Sequence, residues 1–464
     1  MLTYTLSSLD PRPLYEQIAD ALKKDILSGV VRSGSRLPSK RSLAEHLGVS
    51  TITVESAYNL LIDEGYLWSE PKRGYYVTEL SLRHIATNPH SAARILSPPE
   101  RVRAETELSG SHSSGRSFPF SVWVRLLRET IRDQGEKLLT SSPCCGIRPL
   151  REAIAAHLAS FRGMQVDPDQ IIVGAGTEYL YGLLIQLLGK GLIYCLEDPG
   201  YPKVGQIYEA NGATCRWTQL DESGMTAAGL EACGADVAHI SPTHHFPTGI
   251  TMPVSRRYEM LAWASAGAGR YIIEDDYDSE FRLNGRPVPS LQSIDDNGCV
   301  IYMNTFSKTL ASTIRISYMV LPPILANRFY EHLSFYSCTV STFEQYTLAR
   351  FLTEGYFEKH INRMRLFYSR LRRELLQCIA DSPLSASLSV IERDSGLHFL
   401  LQLRTDCPDD RLLSALMDRG VHLLPLSVYY RDPASAPAHT FLIHYASLTA
   451  EELRKALRIL DDFL

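Results

Sequence analysis

The first part of the chain alternates between helical apolar stripes and short turn signals. Apolar side chains recur with helical spacing over 14–27, with charged residues between them, which predicts an amphipathic helix. Ser39 and Ser50 each stand just before a further helical stripe, where a serine hydroxyl caps the helix N-terminus. Short runs at 66–68 and 75–77 then predict a hairpin. Three helices followed by a hairpin predict a winged helix-turn-helix.

The rest of the chain has a different pattern. We therefore divide the whole chain into a first domain at 1–79, a linker at 80–112 and a second domain at 113–464. The linker is rich in Ser, Pro, His and Arg. In the second domain, helical segments alternate with continuous apolar runs, which predicts a mainly parallel α/β sheet covered on both faces. The runs lie at 171–173, 192–196, 237–240, 271–273, 300–303 and 316–320. A smaller α+β lobe is expected at about 335–464, with a long helix around 355–380.

Composition narrows the class of protein. The 464 residues suit two or three domains, and the net charge of −5 provides no general basic field for nucleic acid. The N-terminus lacks a basic and then apolar signal segment, and no apolar run reaches about 18 residues, so we expect a cytoplasmic protein without a membrane span. The nine cysteines are scattered without zinc-site spacing, which predicts reduced thiols and no metal.

Cations and hydroxyls in the first domain cluster where a DNA backbone would pass. The domain as a whole is not basic, since residues 1–80 contain nine Lys and Arg against ten Asp and Glu. A solvated charge pattern on a protein-binding domain therefore remains an alternative to DNA binding. The candidate DNA contacts lie at the start of the second helix, on the third helix and in the wing: Arg36, Ser39, Lys40 and Arg41; Ser50, Thr51, Thr53 and Tyr58; Lys72 and Arg73.

The string LPSKRSLAEHLGVSTITVESAYNLLIDEGYL decides between these alternatives. It resembles the DNA-binding module of the GntR superfamily, which implies double-stranded operator DNA as a partner. One departure concerns Thr51, because members of that family often carry arginine directly after the serine of Gly-Val-Ser. A phosphate or base contact made by arginine in relatives is therefore replaced or missing here.

A second group of candidate residues follows the ends of two predicted strands. Asp275 and Tyr277 follow the run at 271–273 and point to the same side of an extended backbone. Lys308 stands beyond the next strand beside the hydroxyls of Thr305 and Ser307. A carboxylate, a lysine and nearby hydroxyls are what pyridoxal 5′-phosphate (PLP) needs for its ring nitrogen, its aldehyde and its phosphate. The acidic run EDDYD on its own equally suits a hard cation.

Four further residues fit the same coenzyme. Gly176 and Thr177 join a predicted strand to a helix, whose N-terminal amides bind phosphate well. Arg315 offers a bidentate phosphate partner, and Tyr201 follows another strand and places an aromatic ring nearby. Each of these signals is weak by itself, but their order on successive strand ends is specific.

The strings GAGTEYL, EDPGYP, PTGITMPVSRR, IIEDDYDSEF and TFSKTL resemble fold-type-I aminotransferases, and especially the MocR subfamily of GntR regulators. MocR proteins fuse a winged helix-turn-helix to an aminotransferase-like domain, so the resemblance covers nearly the whole chain. It implies a head-to-tail homodimer and PLP as cofactor. The implied roles are Schiff-base lysine for Lys308, pyridinium partner for Asp275, ring-oxygen contact for Tyr277, phosphate contacts for Thr177, Ser307 and Arg315, and ring stacking for Tyr201.

The chain departs from the family at the positions that bind a substrate carboxylate. Ser447 stands where aminotransferases and amino-acid-sensing members carry an arginine, and Lys203 replaces a second arginine. A lysine is a poorer carboxylate fork than two arginines. We therefore assign Lys203 and Ser447 to the effector site and favour PLP itself as the effector, as in the vitamin-B6-regulating PdxR members of the family.

The resulting hypothesis is a PLP-binding transcription regulator of vitamin B6 metabolism whose aminotransferase-like domain is a sensor and not an enzyme. One alternative is a MocR regulator that responds to an amine or amino acid. Another is an active PLP-dependent aminotransferase with an appended DNA-binding domain. The missing carboxylate arginine favours the first hypothesis over both.

Overall fold

The computed structural model describes residues 3–4, 6, 10–79, 104–110, 118–283, 288–392, 396–446 and 448–463. The chain divides into two compact units, Met1–Arg101 and Val102–Leu464. Within the described ranges, no helix is both long enough and apolar enough to cross a membrane.

The first unit contains the three helices and the hairpin that the sequence predicts. Serine hydroxyls cap the second and third helices: Ser39 Oγ accepts from the Ser42 amide at 3.2 Å, and Ser50 Oγ accepts from the Thr53 amide at 3.0 Å. Gly48 ends the second helix in the left-handed conformation. The elements are α1 (Leu14–Leu27), α2 (Lys40–Leu47), α3 (Thr51–Asp63), β1 (Leu67–Glu70) and β2 (Gly74–Val77), and the two strands pair antiparallel.

The core of the first unit lies between the inner faces of its three helices. Tyr58 belongs to this core, because its ring is fully buried and its hydroxyl donates to the Pro38 carbonyl at 3.0 Å. The prediction that Tyr58 contacts DNA is therefore wrong. Val54 and Leu61 are also buried, and their spacing from Tyr58 is that of one helix face, a pattern already visible in the sequence.

The second unit is built from a large sheet, a small sheet and the helices that cover them. Its helices are α4 (Phe120–Gln134), α5 (Arg148–Arg162), α6 (Thr177–Leu188), α7 (Pro202–Ala210), α8 (Ala227–Cys233), α9 (Val254–Ala266), α10 (Phe306–Thr309), α11 (Pro323–His332), α12 (Thr342–Thr353), α13 (Tyr356–Ala380), α14 (Asp409–Asp418) and α15 (Ala450–Asp461). Its strands are β3 (Thr106–Glu107), β4 (Ile171–Gly174), β5 (Ile193–Asp198), β6 (Thr214–Gln219), β7 (Val237–Ile240), β8 (Tyr271–Asp275), β9 (Val300–Thr305), β10 (Ser317–Val320), β11 (Leu388–Ile391), β12 (His398–Leu403), β13 (Val421–His422), β14 (Leu424–Pro425) and β15 (Thr440–His444).

The large sheet has the order β4-β10-β9-β8-β7-β5-β6. All its neighbouring pairs are parallel except those of β10, which runs antiparallel to both β4 and β9. The predicted apolar runs correspond to six of these strands. The sequence missed β6, because this edge strand is only partly buried and lacks a continuous apolar run. Since β8 and β9 are parallel neighbours, Asp275 at the end of β8 lies beside Met303, just before the turn that carries Lys308.

The small lobe contains an antiparallel sheet in the order β11-β12-β15-β14, and buried side chains of this sheet share one hydrophobic cluster with those of α13 and α15. A segment from before the large sheet joins it: β3 pairs parallel with β13, and Leu108 is buried. Ser109 Oγ also donates to the Leu442 carbonyl at 3.0 Å and accepts from the Leu424 amide at 2.8 Å. The predicted linker, 80–112, is thus wrong at its C-terminal end, because residues 104–110 pack on the second unit.

Candidate functional site

The acidic run after β8 divides by the alternation of an extended chain. Glu274 points into the protein, where its two oxygens accept from the Leu291 amide at 2.7 Å and the Gln292 amide at 2.9 Å. Asp276 points the same way and pairs with buried Arg162 at 2.8 Å. These two carboxylates hold loops in place, which leaves Asp275 and Tyr277 for the opposite side.

Asp275 presents one free carboxylate oxygen. Its Oδ2 accepts from the Tyr181 hydroxyl at 2.5 Å and lies 3.5 Å from His239 Nε2, whose Nδ1 is 2.8 Å from the Tyr208 hydroxyl. Its Oδ1 is buried and has no hydrogen-bond partner among the described residues. A buried anionic oxygen without a donor suits a protonated ring nitrogen. Sequence reasoning missed the supporting residues Tyr181 and His239, which lie on elements distant in the chain.

Lys308 lies on α10, directly after β9. Burial lowers the pKa of its amine, and the nearby charge of Asp278 opposes that shift. A lowered pKa increases the fraction of neutral, nucleophilic amine available to attack an aldehyde. Thr305 caps this short helix, because its Oγ1 accepts from the Ser307 amide at 3.1 Å and from Ser317 Oγ at 2.8 Å. The Thr305 hydroxyl thus positions the lysine turn and is engaged within the protein.

Four residues around the N-terminus of α6 form what we call the phosphate cup: Gly176, Thr177, Ser307 and Arg315. The helix begins at Thr177 without a side-chain cap, so its first amides are available to a ligand. Gly176 adopts a φ of +93°, and a Cβ there would lie 2.3 Å from Arg315 Nη2, so the guanidinium packs directly on the glycine. Ser307 Oγ is buried without a partner in the described part of the chain. Helix amides, a guanidinium and a free hydroxyl together suit a phosphate.

These three features fit PLP. Asp275 would hold its ring nitrogen, Lys308 its aldehyde carbon, and the cup formed by Gly176, Thr177, Ser307 and Arg315 its phosphate. When bound, PLP supplies an electrophilic carbonyl conjugated to an electron-withdrawing pyridinium ring.

Aromatic and histidine side chains line the other side of the site. The Tyr277 hydroxyl lies 3.2 Å from His244 Nδ1, which is 2.8 Å from Asp278 Oδ2. Tyr201 is 53% exposed, and its ring meets the edge of Phe246 with centroids 6.0 Å apart. The roles predicted for Tyr277 and Tyr201 toward the coenzyme ring stay predictions. No group of three or more potential metal ligands occurs in the described residues.

Of the two residues predicted to bind the effector, the structure describes only Lys203. Lys203 is half-exposed on α7, and its Nζ donates to Glu178 Oε1. Ser447 lies outside the described residues. Their assignment to an effector site stays a prediction.

A neutral pair supports the ends of β5 and β7. Burial raises the pKa of Glu197 to about 8 and lowers that of His245 to about 3, and the two side chains approach to 3.5 Å. Both groups are therefore uncharged at pH 7. His245 Nδ1 is also 2.7 Å from Thr248 Oγ1, so both His244 and His245 are engaged in hydrogen bonds.

Replacing Glu197 by glutamine should stabilise the protein increasingly as pH rises. A carboxyl whose pKa is raised from 4.5 to about 8 costs folding free energy between those pH values, because the unfolded carboxyl ionises freely. Glu197→Gln removes this cost, so we expect the free energy of unfolding to rise by about 3 kcal/mol near pH 7, with no gain below a pH of about 4.5. Thermal unfolding at pH 5 and pH 8 measures it, with exposed Glu222→Gln as control. A gain of equal size at both pH values would contradict the protonated carboxyl.

The predicted DNA contacts of the first unit fall into two groups. Arg41, Thr51 and Lys72 are exposed on α2, α3 and the wing. The other candidates contact neighbouring groups of the same unit. The Ser39 and Ser50 hydroxyls cap helices, and Thr53 Oγ1 lies 2.8 Å from Ser50 Oγ. Lys40 pairs with Glu55, Arg73 pairs with Glu70 at 2.8 Å, and Arg36 packs on Gly74, with its Nε 3.0 Å from where a Cβ would be.

Sequence reasoning missed one exposed position on the third helix. Ile52, the second residue of α3, is 74% exposed. An exposed apolar side chain there suits contact with a thymine methyl group in a major groove. The signal was its position beside Thr51, off the buried face of α3.

Replacing Arg41 by glutamine should weaken operator binding without changing sequence preference. Arg41 is exposed at the first turn of α2, so we expect it to contact a phosphate and not a base. The slope of log affinity against log salt should fall by about 0.9, the release of one counterion. Fluorescence anisotropy at several salt concentrations measures this, with Arg32→Gln, outside the helix-turn-helix, as control. A changed base preference with an unchanged slope would contradict the phosphate role.

Two family models match the two units. The model described as bacterial regulatory proteins of the gntR family matches residues 14–77, and the model of aminotransferase class I and II matches residues 109–460. Among full-length relatives, a probable rhizopine catabolism regulatory protein, MocR, of Rhizobium meliloti is 31% identical over 97% of this chain and 93% of its own. The chain belongs to the MocR regulators of the GntR family.

Other relatives agree with this membership of the MocR group. An uncharacterized HTH-type transcriptional regulator, YdeL, of Bacillus subtilis is 34% identical and covers 96% of each chain. The HTH-type pyridoxine biosynthesis transcriptional regulator PdxR of Corynebacterium glutamicum is 30% identical over 92% of this chain and 91% of its own. The crystal structure of a kynurenine aminotransferase from Pyrococcus horikoshii has a TM-score of 0.66, with 25% identity over 77% of this chain and 90% of that one. This member of the MocR group is thus an HTH-type regulator with a fold-type-I aminotransferase-like domain.

Proposed function

We propose that this protein binds PLP at its aminotransferase-like site and that coenzyme binding modulates operator binding, which controls genes of vitamin B6 metabolism. The observation that carries the proposal is a set of groups that have no partner among the described residues: the buried Asp275 Oδ1, the buried Ser307 Oγ and the uncapped start of α6. The relative from Corynebacterium glutamicum, a pyridoxine biosynthesis transcriptional regulator, supports this choice of target genes.

The residues of the site divide the work of binding. Asp275, oriented by Tyr181, keeps a proton on the ring nitrogen, because its carboxylate charge favours the protonated ring and its Oδ1 has no donor within the described ranges. Lys308 provides a buried amine at the carbonyl, and burial lowers the pKa of that amine. Arg315 and Ser307 bind the phosphate beside the helix amides. A ligand held at three separate points is fixed in orientation, which makes its binding free energy available to bias a conformational equilibrium.

Regulation requires that the two domain arrangements bind PLP with different affinities. Coupling between two sites is reciprocal, so a coenzyme that changes DNA affinity by some factor must itself be bound more or less tightly by that factor on DNA. The proposed state is a cytoplasmic head-to-tail homodimer, in which each coenzyme domain faces the DNA-binding domain of its partner.

The test is a titration of PLP into coenzyme-stripped full-length protein bound to its own upstream DNA. We expect DNA affinity to change on PLP addition alone, by about fivefold or more, which is the usual range of coupling. DNA affinity that ignores PLP until an amine or amino acid is added would overturn the proposal and favour the effector-responsive alternative.

A working aminotransferase is the second candidate, because the complete set of Asp275, Lys308 and phosphate cup is also what transamination requires. Multiple-turnover conversion of an amine donor and a keto acid separates the two. We expect at most a single half-reaction. Sustained turnover would establish the enzyme.

A further inference from the structure

Glu178 lies between Arg315 of the phosphate cup and Lys203, the lysine predicted to bind the effector. Glu178 is the second residue of α6, and its Oε1 accepts from Lys203 Nζ. Its other oxygen, Oε2, lies 3.7 Å from Arg315 Nη2, the guanidinium nitrogen that packs on Gly176. The three side chains are about half exposed, so water has access to all of them. One carboxylate is thus shared by the two cations.

We propose that Glu178 is an internal competitor for the phosphate cup and that phosphate binding at Arg315 shifts it toward Lys203. This inference rests on the proposed function, since it takes PLP as the ligand. It assigns to Glu178 a role in setting coenzyme affinity and in linking the phosphate site to the effector side.

The contact distances favour competition over permanent pairing. A separation of 3.7 Å between Glu178 and Arg315 is longer than a charge-assisted hydrogen bond, which is about 2.7–2.9 Å. A phosphate bound to the same guanidinium forms such short bonds, carries about −1.5 to −2 charges, and repels the neighbouring carboxylate. Arg315 therefore binds the phosphate in preference to Glu178, and Glu178 stays hydrogen-bonded to Lys203.

The hydrogen bond from Lys203 is also the main reason that the pKa of Glu178 is lowered, with a smaller contribution from the charge of Arg315. Glu178 is thus a carboxylate at neutral pH. Lys203 holds it partly away from the cup, which means that the lysine promotes phosphate binding indirectly. Without Lys203, the carboxylate is free to pair fully with Arg315.

The test compares PLP with pyridoxal, which has the same ring and aldehyde but no phosphate, in titrations of coenzyme-stripped full-length protein at fixed ionic strength. Glu178→Gln should tighten PLP about fivefold, and Lys203→Met should weaken it about fivefold, as expected for a partly screened charge. Pyridoxal affinity should change in neither variant. Lys190→Met and Glu222→Gln alter exposed charges elsewhere and should leave both affinities unchanged.

The double variant decides the mechanism. If Lys203 acts by holding Glu178, Lys203→Met should have less than a twofold effect once Glu178→Gln is present. An equal effect of Lys203→Met in both backgrounds would mean that only the net charge matters, which would overturn the inference. So would unchanged PLP affinity in Glu178→Gln. Native protein that binds PLP no better than pyridoxal would instead overturn the proposed function, so the two failures are distinguishable.

Discussion

Replacing Lys308 by alanine abolishes the visible absorption band of the covalent link between the lysine and the coenzyme, together with the coenzyme-dependent change in DNA affinity, while the chain stays folded. Lys308 is the amine that α10 and the Thr305 cap place beyond β9, next to the proposed phosphate cup. Without it, no covalent link to the coenzyme carbonyl can form. Since burial already disfavours the charged amine, its removal should not lower the thermal unfolding temperature. The measurements are the absorption spectrum, the unfolding temperature and anisotropy with operator DNA.

The matched control is Lys190→Ala, which removes an exposed lysine outside the site and should leave the spectrum as in the native protein. A Lys308→Ala spectrum identical to that of the native protein would show that another amine carries the coenzyme. A variant that also loses its folded structure would place Lys308 among the residues needed for stability, contrary to the expectation.

Replacing Asp275 by asparagine should weaken PLP binding by roughly a hundredfold or more, because a buried charge pair broken on one side costs about 3–5 kcal/mol. The carboxylate Oδ1 has no partner among the described residues, so its interaction with a ring proton would be made only in the complex. The free energy of unfolding without coenzyme should rise or stay level, since a buried charge is lost. Titration with PLP, followed by absorbance, measures the affinity.

Tyr181→Phe is the graded comparison for Asp275→Asn. It removes the 2.5 Å hydrogen bond to Oδ2 but leaves the charge, so we expect a loss of about tenfold, typical for a hydrogen bond to a charged group. Equal losses in both variants would indicate that orientation and not charge governs affinity. No loss in Asp275→Asn would contradict the assignment of the ring-nitrogen partner.

Much of the fold was predictable because local patterns set it. The stripe at 14–27 and the serines at 39 and 50 predict three helices. The structure confirms the serine caps of the second and third, since a hydroxyl one residue before a helix satisfies its first amides wherever that helix packs. The long helix predicted around 355–380 is α13, Tyr356–Ala380. Tyr58 shows the limit: its type suits a DNA contact, but its spacing belongs to the buried face of α3.

The sequence by itself determined the two-part organisation, the family, and the residues expected at one candidate coenzyme site, because successive parallel strands deliver their carboxyl ends to the same edge of a sheet. Only the tertiary structure decided which oxygens and hydroxyls remain without a partner. Tyr181 donates a hydrogen bond to Asp275 Oδ2 and not to Oδ1, and the Thr305 hydroxyl accepts from the Ser307 amide as a helix cap. Glu178 lies within ion-pair distance of both Lys203 and Arg315. Hydrogen-bond partners distant in the chain are set by packing, and no local pattern encodes them.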